Sequence, residues 1–325
     1  MRTPLSRTIR HSILFLGVFI FVVGVFIASK EIPLLSKGNG IDAVPDHPII
    51  IAATSFPFLR DIIAHVGKGY VAVQTIHGSS TISHSAPADG VVPKNMKAFF
   101  ALNANADGWA GNFFKGVQGA SVYTVSDYIT LRADAIAQML AANDSNSSLA
   151  SSTLTQEQGG YFWISPRGGR EMTSYVARVL GTIDPTHSVF YFNNAYEYEY
   201  QLNDLGSTLY DQLQPLRSKK VIVTAPGWDL FLATFDIHPF ARMYTNPDAD
   251  QTYQSSVSAI AQMLTLHPDA VVLGDATFPL NALTAINQKF ASQTIIVDVY
   301  GGTTTDASYV DFLKRIVAEL VQSLP

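Results

Sequence analysis

The chain of 325 residues contains no cysteine. That absence excludes disulfides, thiolate catalysis and Cys-type zinc sites, and it removes a lipid-modified cysteine as a membrane tether. An exported protein of this composition must rely on its apolar core, and the chain is long enough to build one, or two lobes. There is no Gly-x-Ser-x-Gly elbow, no Walker-type phosphate loop, and no HExxH or HxxxH pair. Gly301-Gly302-Thr303 is a small turn with a hydroxyl, too little for a phosphate site. Glu197 and Glu199 lie on a long helical pattern and read as a solvated face. The sequence therefore offers no enzyme constellation. With a formal net charge of −5 and no basic stripe, it gives no reason to expect nucleic acid as a partner either.

What the chain does have begins at its N-terminus. Met1 to His11 carries Arg2, Arg7 and Arg10 and no acid, and Ile13 to Ala28 is then apolar apart from glycines. A basic region followed by an apolar run is the pattern of a secretory signal or a signal-anchor. Ser12 and Ser29 extend the run toward the roughly 20 residues that span a bilayer. Positive residues before it and Glu31 after it keep the N-terminus in the cytoplasm and send the rest outside. Phe26 and Ile27 stand where cleavage needs a small residue, which favours an uncleaved anchor. The competing reading, a buried core helix, fits poorly with a segment that is apolar on every face. The expectation is an extracytoplasmic protein, in the periplasm or at the cell surface, held to the membrane through residues 13–28. Residues 1–29 are the signal-anchor or signal peptide, and the Gly/Pro/Asp-rich stretch 30–47 is a linker.

Beyond the linker, short apolar runs alternate with helical patterns. Ile49–Ala53 and Val71–Ile76 read as strands. Pro57–His65 reads as a helix with Ser55 as its cap, and Pro93–Asn103 as a helix with proline in its first turn. Asn143–Thr155 is a Ser-rich loop. Pro166–Ile183 reads as a helix ending before Asp184-Pro185, and Ser188–Leu213 as a long helix ended by Pro215. Val221–Ala225, Ala270–Gly274 and Thr294–Asp298 are Val/Ile-rich runs suited to strands covered on both faces. Helical patterns at 250–266, 279–291 and 307–324 separate and follow them. The fold class is α/β: two doubly wound lobes joined by one long rigid helix. The first lobe covers 48–187, the inter-lobe helix 188–214 and the second lobe 215–325.

In open α/β sheets ligands gather at the carboxyl ends of the strands. That places candidate chemistry at the loop from His77 to His84, at Thr224–Trp228, at Asp275 and at Asp298. A histidine and a carboxylate meeting across two lobes suit a divalent transition metal such as zinc or manganese. A strand-end aspartate also serves as a helix cap, and a loop histidine is also a common exposed side chain, so spacing alone leaves both readings open.

The order of these pieces resembles the zinc/manganese-type solute-binding proteins of ABC importers. Ile49–Ile76 is similar to that family's opening strand, helix and second strand. Ser83-His84-Ser85-Ala86-Pro87 resembles its Pro-His-x-x-Glu-Pro segment. Tyr161-Phe162-Trp163-Ile164-Ser165-Pro166 resembles its His-x-Trp-x-Asp-Pro segment. Asp184-Pro185 and the Tyr191–Tyr196 stretch look like the start of its long inter-lobe helix, Lys219–Ala225 like the strand that follows, and Val297–Thr303 like its Asp-Pro-Leu-Gly-Gly strand end.

The resemblance implies a cation clamped between two α/β lobes and handed to an ABC permease subunit in the membrane. It carries His84 onto the first ligand and Asp298 onto the last. Tyr161 falls where a second histidine is expected. Pro226 falls near a third, with Gly227 to Asp229 as neighbouring alignments. Ala86 stands near the motif's glutamate. His77, seven residues before His84, is a further nitrogen donor. Three expectations follow: a metal binder with altered ligands, a binder of another solute, or a pair of lobes that keeps the fold as a membrane scaffold or interaction module.

Overall fold

The computed structural model describes residues 47–76, 91–129, 161–225, 227–243, 250–275, 280–301 and 308–325. The apolar N-terminal segment, most of the linker, the loop bearing His77 and His84, and the Ser-rich loop at 143–155 lie outside the described residues. Among the described residues no helix is long and apolar enough to cross a membrane.

Two four-stranded parallel sheets organise the chain. The first contains β1 (Ile50–Thr54), β2 (Val71–Thr75), β3 (Ala98–Ala101) and β4 (Ser121–Thr124), in the order β2-β1-β3-β4. The second contains β5 (Lys220–Val223), β6 (Ala241–Arg242), β7 (Ala270–Asp275) and β8 (Thr294–Val297), in the order β6-β5-β7-β8. All six pairings are parallel. The two sheets thus share one topology, which reverses direction between their first and third strands.

Side chains alternate across each sheet, and both faces are covered, which explains the unbroken apolar runs. Ile50, Ala52, Ala98 and Phe100 face the main core, while Ala53, Phe99 and Ala101 face a smaller cluster on the other side. In the second sheet Val221, Val223, Val271 and Leu273 face the same main core, and Ile222, Ala270 and Val272 face away from it. The main core is therefore shared between the lobes.

Helices α1 (Pro57–Gly67), α2 (Pro166–Ile183), α3 (Ser188–Gln212), α4 (Gly227–Thr234), α5 (Asp250–Leu266), α6 (Leu280–Phe290) and α7 (Tyr309–Gln322) complete the frame. α2 starts where local chemistry requires it: Pro166 takes the first turn, and the Ser165 hydroxyl accepts from the Gly168 amide at 3.1 Å. α3 is the long helix, with 25 residues, about 38 Å at 1.5 Å per residue. It buries Tyr191, Asn194, Ala195, Tyr198, Leu202, Leu205 and Leu209, a stripe at helical spacing. α7 begins with a Ser308 cap and packs against α1: Phe58 and Phe312 stack at 4.9 Å between ring centroids. Asp61 of α1 accepts from the Tyr309 amide at 2.9 Å and from the Tyr198 hydroxyl at 3.0 Å, so one carboxylate joins α1, α3 and α7.

Two sequence expectations are corrected here. Pro93–Asn103 is not a helix. Lys94 and Asn95 form a turn, with Asn95 at a φ of 61°, and Ala98–Ala101 is a strand whose four residues are all buried. Pairing to β1 and β4 supplies backbone partners on both sides, which a five-residue apolar run cannot reveal by its own periodicity. Ser55 does not cap α1. Phe56 holds the cap position without a side-chain bond, and the Ser55 hydroxyl donates instead to Asp107 at 2.6 Å.

Candidate functional site

In both sheets the direction reverses between neighbouring strands, β1 and β3 in one and β5 and β7 in the other, and crevices form beyond the carboxyl ends at such points. Each crevice holds a buried carboxylate. In the first lobe it is Asp107, on a single helical turn (Ala104–Asp107) that Asn103 caps by accepting from the Ala106 amide at 2.8 Å. Asp107 is 3% exposed, and it accepts from the Ser55 hydroxyl at the end of β1 and, at 2.7 Å, from the Leu102 amide at the end of β3. Burial pushes its carboxyl up to about 6, and those two hydrogen bonds only partly offset the desolvation.

In the second lobe the carboxylate is Asp275, the last residue of β7 and 2% exposed. The Tyr161 hydroxyl donates to it. The register of β7 and β8 pairs Asp275 with Val297, so Asp298 follows directly on the neighbouring strand. Asp298 is buried and folds its own strand end. Its Oδ1 accepts from the Tyr300 amide at 2.9 Å and the Gly301 amide at 3.0 Å, and Gly301 takes a φ of 68° to close the turn. Arg315 of α7 donates to the Asp298 carbonyl oxygen at 3.1 Å.

Aromatic rings line the space between these carboxylates. Tyr161 sits at 5.5 Å from Trp163, 5.8 Å from Trp228 and 6.4 Å from Tyr300. Phe56, at the end of β1, meets Tyr300, beyond β8, at 5.9 Å and so joins the two lobes. The Tyr161 ring is fixed by its backbone amide, which donates to the Gly227 carbonyl at 3.2 Å. A Cβ on Gly227 would stand 2.5 Å from that ring, so glycine is what permits the approach. Trp163 donates its indole N–H to the Val299 carbonyl at 2.7 Å. Among the described residues the buried Trp228 Nε1 has no hydrogen-bond partner.

The electrostatics follow from burial beside acids. Burial, then the charge on Asp275, raises the Tyr161 phenol well above its ordinary value. Tyr161 is thus a neutral donor, and its neighbour is a carboxylate rather than the cation that a phenolate requires. Burial raises the Tyr300 phenol as well, and Asp275 and Asp107 add to that shift. One phenol therefore lies in the field of a carboxylate from each lobe. Neutral donors and aromatic faces around buried acids make surroundings that favour a positively charged guest.

Of the residues singled out from the sequence, Asp275, Asp298, Tyr161 and Trp228 stand at this site. His77, His84 and Pro226 lie outside the described residues. Asp229 is buried on α4 and carries an ion pair with Arg242 at 3.0 Å. Among the described residues no three histidine, aspartate or glutamate side chains converge as a metal-holding group. Asp107 was not read from the sequence. Its signal is an acid six residues past a short apolar strand, hidden because that strand shows no period of its own.

Two parallel-sheet lobes, a long helix between them and facing strand ends define a two-lobed α/β protein. The chain belongs to the ZnuA family, described as zinc-uptake complex component A, periplasmic, whose profile matches residues 52–323. It is 22% identical over 170 residues to the high-affinity zinc uptake system protein ZnuA of Brucella abortus and to that of Brucella suis, covering 50% of this chain and 48% of each relative. The chain thus spans about half the length of the curated relatives it matches. Among solved structures, it resembles a Mn-bound periplasmic metal binding protein from Candidatus Liberibacter asiaticus. The TM-score is 0.60 at 15% identity, over 85% of this chain and 100% of that one. The metal-dependent lipoprotein YcdH from Bacillus subtilis gives a TM-score of 0.58 at 16% identity, over the same shares. These structural likenesses concern the fold.

Proposed function

We propose that this protein is the extracytoplasmic binding component of an ABC-type metal importer, and not an enzyme. It takes a divalent cation, zinc or manganese, between its lobes and hands it to a permease subunit, while residues 13–28 hold it at the membrane. The observation that carries this reading is the pair of buried carboxylates, Asp107 and Asp275, at the strand ends of two sheets of the same topology, with the rings of Phe56, Tyr300 and Tyr161 in contact from one lobe to the other. Membership of a zinc-uptake family supports it. In this reading His84 and Asp298 are the cation's principal ligands, His77 is a further nitrogen donor, and Tyr161 borders the site as a neutral hydroxyl.

The test is thermal unfolding of the full chain after chelation and reloading, with elemental analysis of natively purified protein. Zinc or manganese is expected to raise the melting temperature. His84→Ala is expected to remove most of the rise, and His84→Ala with Asp298→Ala all of it. No shift with either metal, and no metal in the purified protein, sinks the reading. A folded chain that retains no metal favours the second reading, a scaffold or interaction module at the membrane. The engagement of the Tyr161 hydroxyl by Asp275 is the observation on that side.

A further inference from the structure

The outward face of α3 carries a row of exposed apolar side chains. Val189, Phe192, Tyr196 and Tyr200 are 73%, 48%, 73% and 63% exposed. Their spacing puts them on one side of the helix, over a length of about 16 Å. The other side holds the buried Tyr191, Asn194, Ala195 and Tyr198, so the first half of α3 is aromatic on both faces. Single exposed apolar residues are ordinary on a protein surface, but an aligned row marks a contact surface. No charge interrupts the row. The two acids of this stretch lie at its flanks and face neighbouring elements: Glu197 pairs with Lys68, beyond α1, at 3.4 Å, and Glu199 accepts from Ser174 of α2.

Two observations choose what covers it. The first is where the chain enters the lobe. The Ile49 amide donates to the Tyr70 carbonyl at 2.9 Å. The Tyr70 ring lies 4.3 Å from that of His187 and 4.8 Å from that of Phe190, on either side of Val189. The stretch 30–47 therefore joins the lobe at the end of α3 where the row begins. Fully extended, a stretch of that length reaches about 60 Å. A tether this short keeps the lobe at a high effective concentration beside the membrane, so a weak contact suffices. The second observation is size. Three rings of roughly 150–250 Å² each, half to three-quarters exposed, present about 400 Å². A stable dimer buries roughly 800 Å² per partner, about twice what the row offers. Tyrosine and phenylalanine on an uncharged helix face suit the boundary between lipid and water, where the ring enters the acyl region and the hydroxyl stays among the headgroups.

We propose that Val189, Phe192, Tyr196 and Tyr200 rest on the lipid surface, so that the tethered protein lies against the membrane along the first half of α3. This inference rests on the reading of residues 13–28 as a membrane anchor. With no basic residue in the row, the contact needs no anionic lipid and is insensitive to salt.

The chain has no cysteine, so one introduced cysteine labels one place. Asn193→Cys stands exposed beside the row, and Gln262→Cys stands exposed on α5, which packs on the face of the second sheet turned away from the main core. Each carries an environment-sensitive fluorophore in the full chain, reconstituted into phosphatidylcholine vesicles that contain nitroxide-bearing lipid. Flotation establishes that the chain is membrane-bound. The label at position 193 should be quenched by the nitroxide, at low and high salt alike, and the label at position 262 should not. Phe192→Ser with Tyr196→Ser and Tyr200→Ser should abolish the quenching, and circular dichroism melts establish that each variant is folded. In a chain that floats, equal quenching of the two labels overturns the proposal and leaves the anchor standing. So does quenching that the triple variant retains or that salt removes. A label at position 193 that is shielded from aqueous iodide but not quenched by the lipid shows a second copy or another protein on the row, and overturns the proposal as well. A chain that does not float overturns the anchor reading and this contact with it.

Discussion

The Tyr161 hydroxyl donates to the Asp275 carboxylate, linking the segment ahead of α2 to the carboxyl end of β7. A hydrogen bond to a buried charged group contributes about 1.5–3 kcal/mol, so Tyr161→Phe should destabilise the protein by about that amount. Urea unfolding at neutral pH measures it. An unchanged midpoint would show that the hydroxyl contributes nothing.

Asp107 makes stability depend on pH in an uncommon direction for a carboxylate. Burial raises its folded value from 3.8 to about 6, so between those values the folded state binds more protons than the unfolded state. Its contribution to stability is therefore present below pH ~4 and declines as pH rises toward and through 6. A shift of about two units corresponds to about 3 kcal/mol. Asp107→Asn, which still accepts from Leu102, should abolish this component. Urea midpoints of the wild type and the variant, compared at pH 4.5 and 7, give the difference directly.

His65 and Asp61 shift each other. The hydrogen bond that His65 donates to Asp61 raises the imidazole, and desolvation opposes it. Burial alone would raise Asp61, but the bonds from His65, the Tyr309 amide and Tyr198, together with the His65 charge, hold it below the usual carboxylate range. The His65 contribution to stability is present below its unfolded value near 6.5 and is lost as pH rises through the higher folded value. The Asp61 contribution is present above its unfolded value and is lost in acid. An NMR titration should place His65 above 6.5, and Asp61→Asn should bring it down. A wild-type midpoint at or below 6.5 contradicts the pairing.

Phe58 stacks on Phe312 at 4.9 Å and is 3% exposed, in the core that the two lobes share. Phe58→Ala should cost about 3–5 kcal/mol, through lost burial and a cavity between α1 and α7. Because that core is continuous, probes in both lobes should show the loss. A shift confined to one lobe would separate them.

Pro166–Ile183 is a helix in the structure with the bounds read from the sequence, ending before Asp184-Pro185, and the long α3 follows within one residue. β5, β7 and β8 lie where the Val/Ile runs place them. These elements carry their signals locally, in a capping hydroxyl, a breaker or a run covered on both faces. β3 does not, because Lys97–Leu102 is too short to display a period and Pro93 imitates a helix start. A strand without a local signal hides its own carboxyl end, and with it Asp107. Asp298 was legible because it closes a run already recognised as a strand.

The sequence by itself determined the parallel α/β class, the long helix and the absence of thiol chemistry, since each depends on residue type and near-neighbour spacing. Only the tertiary structure decided that Ser55 serves Asp107 rather than α1, that Tyr161 donates to Asp275 across 114 positions of chain, and that carboxylates from both sheets act on Tyr300. Those relationships depend on which strand ends meet, and strand pairing over long separations leaves no periodic trace in the chain.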